Sequence, residues 1–135
     1  MTRSALSADD RAFYTEGGCH LFAVALARQT GWRVVALVDV GRAYDGGAFP
    51  VVAHLLAEDP TGRLWDALGI HRPDEVRAAY PDLLTPCLLG FDDPETVLRD
   101  WSGDSDARPL YAATETDMAE ADAAVRQAFP ALSAG

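Results

Sequence analysis

Three side-chain types in this chain combine into thiol chemistry: a cysteine at 19, histidines at 20, 54 and 71, and an aspartate at 66. Cys19 lies in EGGCHLFAVALARQTGW, residues 16–32. Two glycines lead into it and an almost unbroken apolar run follows, which puts the cysteine at the start of a helix. A helix N-terminus carries unpaired backbone N–H groups and the positive end of the macrodipole, and both favour a thiolate over a thiol. The thiolate is the nucleophile, so this location raises the reactive fraction. Gly17 and Gly18 leave room for an approaching substrate. Their backbone, with the N–H of Cys19, can aim donors at a developing oxyanion. The same residues also describe a tight turn into a helix that buries a small cysteine.

A nucleophile of this kind needs a base, and the base needs an orienting partner. His20 is adjacent to Cys19 and projects about a third of a helical turn away. That makes it a poor base, so it is grouped with Gly18 and Tyr14 as an oxyanion or substrate contact. His54 sits inside the apolar strand VVAHLLAED, residues 51–59, where a half-buried imidazole needs a partner for its second nitrogen. The following DPTGR fits a three-residue hairpin loop, with a type I turn over Pro60 and Thr61 and Gly62 as the left-handed bulge residue. That loop pairs Asp59 with Arg63 and Glu58 with Leu64. It sets Leu56 opposite Asp66 and His54 opposite Leu68. His54 and Asp66 become diagonal neighbours on one face, about 7–8 Å apart at the backbone. A loop one residue shorter sends them to opposite faces. Taken singly, His54 reads as a satisfied core histidine and Asp66 as a surface carboxylate. Together with Cys19 they supply nucleophile, general base and orienter.

The elements that position these groups follow from periodicity and breakers. A helix is expected over 18–30, apolar on most sides and closed by Gly31. Strands follow over 32–40, 51–59 and 63–68, with a glycine-containing loop over 41–50. Pro73 starts a short helix to about 79 and Asp93-Pro94 one to about 101. Thr116 or Asp117 caps a last helix to about 129. The first dozen residues form a short helix or an arm, and LLTPCLLGF is either a strand or a buried loop. The fold class is α+β: a central N-terminal helix carrying the cysteine, packed on a small antiparallel sheet, with additional C-terminal helices. The 135 residues suit a single domain, 1–135.

The formal net charge of −10 argues against nucleic acid and against anionic membrane surfaces as partners. Acidic residues crowd the last third, among them Asp92, Asp93, Glu95, Asp100, Asp104, Asp106, Glu115, Asp117, Glu120 and Asp122. They form a solvated face or a docking surface for a basic protein. The two cysteines make no disulfide framework, and no stretch reads as a signal peptide or a membrane span. A cytoplasmic protein with reduced thiols is expected, from a high-GC bacterial or phage source by composition. No CxxC or HxxxH spacing supports a metal site and no cofactor motif is present. Cys87 and Trp65 read as core, and His71 as a loop histidine at a strand exit.

The order of these residues on these elements resembles the papain-like and transglutaminase-like superfamily of cysteine enzymes. GGCHLFAVAL is similar to its cysteine helix, VVAHLLAED to its histidine strand and GRLWDALG to its aspartate strand. The resemblance spans residues 14–70, about half the chain. It implies a Cys19–His54–Asp66 triad acting on an amide or ester of a peptide or protein substrate, as peptidase, amidase, deamidase or acyltransferase. The family's upstream glutamine is absent, leaving Tyr14 or backbone N–H groups for the oxyanion. The usual aromatic beside the histidine is absent too, since Ala53 and Leu55 flank it. A non-catalytic acidic adaptor, inhibitor or immunity-type protein on the same fold is the second reading.

Overall fold

A computed structural model describes residues 2–105 and 107–133. The architecture is α+β, as the sequence implies. Strand β1 (Thr2–Arg3) precedes helices α1 (Ala8–Glu16) and α2 (Cys19–Thr30). Strands β2 (Arg33–Ala43), β3 (Pro50–Glu58), β4 (Leu64–Asp66) and β5 (Gly69–His71) follow. Helix α3 (Pro73–Ala78), strand β6 (Pro86–Phe91) and helices α4 (Glu115–Ala128) and α5 (Pro130–Ser133) complete the chain. The strands form one six-stranded sheet in the order β1-β5-β4-β3-β2-β6, antiparallel at every pairing.

Helix α2 is the centre of the main core. Its residues from Cys19 to Ala27 are all buried, and they pack with Val34, Ala36, Val38, Leu55 and Ala57 from one face of the sheet. Gly31 closes the helix in the left-handed conformation at φ 79°, the geometry that favours glycine. The alternate strand residues Val35, Leu37, Leu56 and Leu64 form a smaller cluster on the other face, under Val76 of α3. Along β3 the pairing runs Leu37 with His54 and then Val38 with Val52, so Ala53 is an extra residue. This β-bulge stands directly beside His54, and bulges of this kind re-aim a neighbouring side chain.

The hairpin register is the one read from DPTGR. Glu58 pairs with Leu64 and Ala57 with Trp65, Gly62 is left-handed at φ 86°, and the Asp59 N–H bonds the Arg63 carbonyl at 3.0 Å. The Asp59 carboxylate clasps the turn. It accepts from the Thr61 N–H at 2.8 Å, the Arg63 N–H at 3.1 Å and the Trp65 indole N–H at 2.8 Å. Trp65 itself packs against Trp32 and Phe129, on the far side from Asp66 as expected.

Several boundaries differ from the sequence reading. The third strand shortens to β4, a further strand β5 follows beyond it, and His71 belongs to β5 rather than to a loop. The ambiguous 83–91 segment contains an edge strand, β6. The segment after Pro94 closes into a π-helical turn over Val97–Trp101. The last helix is capped by Thr114, whose hydroxyl accepts from the Asp117 N–H. Of the acidic residues, Glu95 pairs with Arg28 and Asp117 belongs to that cap, while Asp106 lies outside the described residues. No described helix is long and apolar enough to cross a membrane.

Candidate active site

The start of α2 brings Cys19 to β3. Pairing of β3 with β4 ends at Ala57, and the Leu55 N–H beyond it is a donor to Cys19. The thiol is nearly closed off, with Cys19 only 7% exposed. Burial alone raises a thiol pKa. Against it act the imidazoles of His20 and His54 and the Leu55 N–H, which bring Cys19 down to about 6.

His54 is 2% exposed. Its Nε2 donates to Asp66 Oδ2 at 2.8 Å, which leaves Nδ1 as the nitrogen available to the sulfur. That Nδ1 is buried and has no well-aligned hydrogen bond in the resting geometry. Burial lowers the imidazole pKa. The Asp66 carboxylate, followed by the Cys19 sulfur, more than offsets this and raises it to about 9. Both shifts favour the thiolate–imidazolium form of the pair over the neutral one.

Asp66 is also buried, and its two oxygens divide their work. Oδ2 serves His54 alone. Oδ1 accepts from His71 Nε2 at 2.7 Å, the Leu68 N–H at 2.9 Å and the Gly69 N–H at 3.2 Å. Burial raises the carboxyl pKa, but the hydrogen bonds from both histidines hold it far below the ordinary range. His71 was outside the sequence-level site. It reaches Asp66 because β5 turns back beside β4 after only Ala67 and Leu68, with Gly69 opposite Asp66.

His20 lies against the Cys19 thiol, within the site where the sequence reading grouped it with Gly18 and Tyr14. It is fully buried, acts on the Cys19 thiol, and bonds the Tyr111 backbone oxygen through Nε2 at 3.1 Å. A carbonyl only accepts, so Nε2 carries a proton, and the buried Nδ1 has no hydrogen-bond partner.

Gly18 departs from its expected role. Its N–H is already committed to the Phe13 carbonyl at 2.9 Å, and an added Cβ would meet the Phe13 ring at 2.7 Å. The glycine accommodates Phe13 rather than a substrate. The Cys19 N–H, with no backbone acceptor in the first turn of α2, is the donor left for an oxyanion. Tyr14 is a core residue, its ring packed against Phe13 and Phe22.

The aromatic missing from the sequence around His54 is supplied from further along the chain. Tyr80, just after α3, stacks on the His54 ring with centroids 5.9 Å apart. Burial and the nearby Cys19 and Asp66 push its hydroxyl up to about 12. A small cavity of about 70 Å³ lies against His54, Asp66 and Tyr80. Among the described residues no cluster of His, Cys, Asp or Glu is arranged to hold a metal ion. Cys87 is half-buried on β6 against the main core. No protein-family model, curated protein or solved structure matches the chain.

Proposed function

We propose that this protein is a cysteine hydrolase or acyltransferase of the papain-like and transglutaminase-like kind, acting on an amide or ester of a peptide or protein. One observation carries the reading: a thiol at a helix start stands beside an imidazole whose far nitrogen donates at 2.8 Å to a buried carboxylate. The Cys19 thiolate attacks the carbonyl carbon, and the Cys19 N–H takes the developing oxyanion. The His54 imidazolium then gives its Nδ1 proton to the departing amine or alcohol, leaving a thioester on Cys19. Water or an acceptor amine attacks that thioester while His54 takes up the incoming proton, and the thiolate leaves. Asp66 fixes the imidazole orientation and stabilises its charge throughout.

The test is the pH dependence of iodoacetamide alkylation at Cys19, read by mass spectrometry with Cys87 as internal reference, in wild type and His54→Ala. A wild-type midpoint near pH 6 that rises in the variant is expected, and it would justify screening amide and ester substrates. An ordinary thiol titration near pH ~8.5 in both proteins would end the catalytic reading. The acidic surface would then be the place to look for a binding partner.

A further inference from the structure

Among the described residues, two buried side-chain atoms that could hydrogen-bond have no partner, Nδ1 of His54 and Nδ1 of His20. Buried polar atoms are otherwise almost always paired, and the Cys19 thiol stands against both of these imidazoles. The two rings share one arrangement. Each has its Nε2–H held by an acceptor, Asp66 for His54 at 2.8 Å and the Tyr111 carbonyl for His20 at 3.1 Å. Each is therefore left to gain or lose a proton at Nδ1. The His20 ring is fully buried and is fixed a second way, edge-on to the Tyr111 ring with centroids 4.6 Å apart. It is the one imidazole in the otherwise apolar buried run from Cys19 to Ala27. Burying an imidazole with one nitrogen unpaired costs free energy, and packing alone does not account for it.

The two acceptors behind these rings differ. Asp66 is an anion and stabilises a charged imidazole, whereas a peptide carbonyl is neutral and stabilises one less. Among the described residues no carboxylate pairs with His20, while Asp66 pairs with both His54 and His71. The titratable groups around His20 are Cys19 on its own helix, Tyr111, and His54 across the sulfur. Tyr111 in turn is within electrostatic reach of Tyr14 on α1 and Asp117 on α4. His54 is thus the stronger base and His20 the weaker. Resting on the Cys-His-Asp reading above, we propose that His20 is a second proton acceptor for the Cys19 thiol, sharing with His54 the work of keeping the sulfur ionised. The S–H bond breaks, its electron pair stays on sulfur, and the proton passes to Nδ1 of one ring or the other. The sulfur then keeps part of its activation when His54 cannot take the proton.

The test compares iodoacetamide alkylation of Cys19 across roughly pH 5 to 9 in wild type, His20→Gln, His54→Ala and the double variant, with Cys87 as reference. Glutamine at position 20 keeps an N–H for the Tyr111 carbonyl and has no nitrogen that titrates. His54→Ala is expected to leave the Cys19 midpoint below the ordinary ~8.5, and adding His20→Gln to bring it there. His20→Gln alone should raise the midpoint too. Each introduction of glutamine should slow alkylation by up to about tenfold below the midpoint, one unit of midpoint being about tenfold in thiolate. A second measurement needs no variant: in wild type the His20 Nδ1 resonance, followed by nitrogen NMR, should titrate together with Cys19. A His20→Gln profile that superimposes on wild type, or a His54→Ala midpoint already at ~8.5, overturns the second acceptor and leaves the Cys19–His54 pair standing. Where His20→Gln does not fold, a wild-type His20 Nδ1 that stays silent through the Cys19 titration does the same. An ordinary thiol titration of Cys19 in wild type overturns both.

Discussion

Replacing Asp66 with asparagine tests the site most sharply, because the substitution keeps the shape and changes one oxygen into a donor. Oδ1 holds three hydrogen bonds and Oδ2 holds one. The asparagine carbonyl therefore settles where the three donors converge, and its NH2 group turns toward His54 Nε2. A donor there forces Nε2 to become an acceptor. The neutral ring must then carry its proton on Nδ1, with no lone pair left for the thiol. The imidazolium is lost as well, since two donors would face each other. His54 falls from about 9 to at most its ordinary 6.5, a change of about 3 kcal/mol at 1.36 kcal/mol per pH unit. Without that cation the Cys19 thiol moves from about 6 toward about 8.5. The thiolate fraction at pH 7 then drops from about nine-tenths to about 3%, so alkylation slows by up to about thirtyfold. The assay is the Cys19 alkylation rate across roughly pH 5 to 9, with the His54 ring nitrogens followed by NMR to read the tautomer. An Asp66→Asn profile that superimposes on wild type, with the His54 proton still on Nε2, would refute the division of labour between the two carboxylate oxygens.

Two further outcomes concern the hairpin that sets this geometry. Gly62→Ala meets no atom within 4 Å at φ 86°, so its cost is the left-handed backbone alone, about 1 kcal/mol. Its melting temperature should fall by about 4 °C while the Cys19 pH profile stays in place; a displaced profile would mean the register had moved. Asp59 is held down to about 2, where hydrogen bonds led by those from Thr61 and Trp65 outweigh burial. A folded pKa below the unfolded value contributes stability that is present above about pH 4 and is lost as pH falls through about 2. The urea-unfolding gap between wild type and Asp59→Asn should accordingly be about 2 kcal/mol at pH 7 and shrink toward pH ~3, and an equal gap at both pH values would contradict the carboxylate's role in the turn.

Local chemistry made part of this site readable in the chain. Pro60, Thr61 and Gly62 specify one turn, the turn sets the register, and the register puts His54 and Asp66 on one face. The apolar run closed by Gly31 likewise marks α2 and places Cys19 at its start. What escaped was non-local or too short to have a period. Strand β5 is three residues long, so GIH carries no alternation, and His71 stayed hidden with it. Tyr80 stacks on a histidine 26 positions earlier, and no local spacing announces such a pair. The contact of His20 with Cys19 escaped because a helix buried on every side has no outward face to turn toward. The chain around Tyr111 covers the side that single-helix geometry left open. The glycines before Cys19 were read as openness, yet Gly18 has an ordinary backbone at φ −103° and is small because Phe13 lies on it.

The bulge at Ala53 and the clasped turn at Asp59 divide the chain unequally in its tolerance of length change. Ahead of the bulge, β2 and β3 already absorb unequal numbers of residues between Asp39 and Val52. Lineages that gained or lost a residue there would keep the site intact. Between His54 and Glu58, or between Leu64 and Asp66, a single insertion or deletion inverts every following side chain and carries His54 and Asp66 to opposite faces. Relatives of this protein should therefore vary freely in length over 41–50 and keep a constant count of residues from 54 to 66, a spacing by which distant members can be recognised even where no other residue is shared.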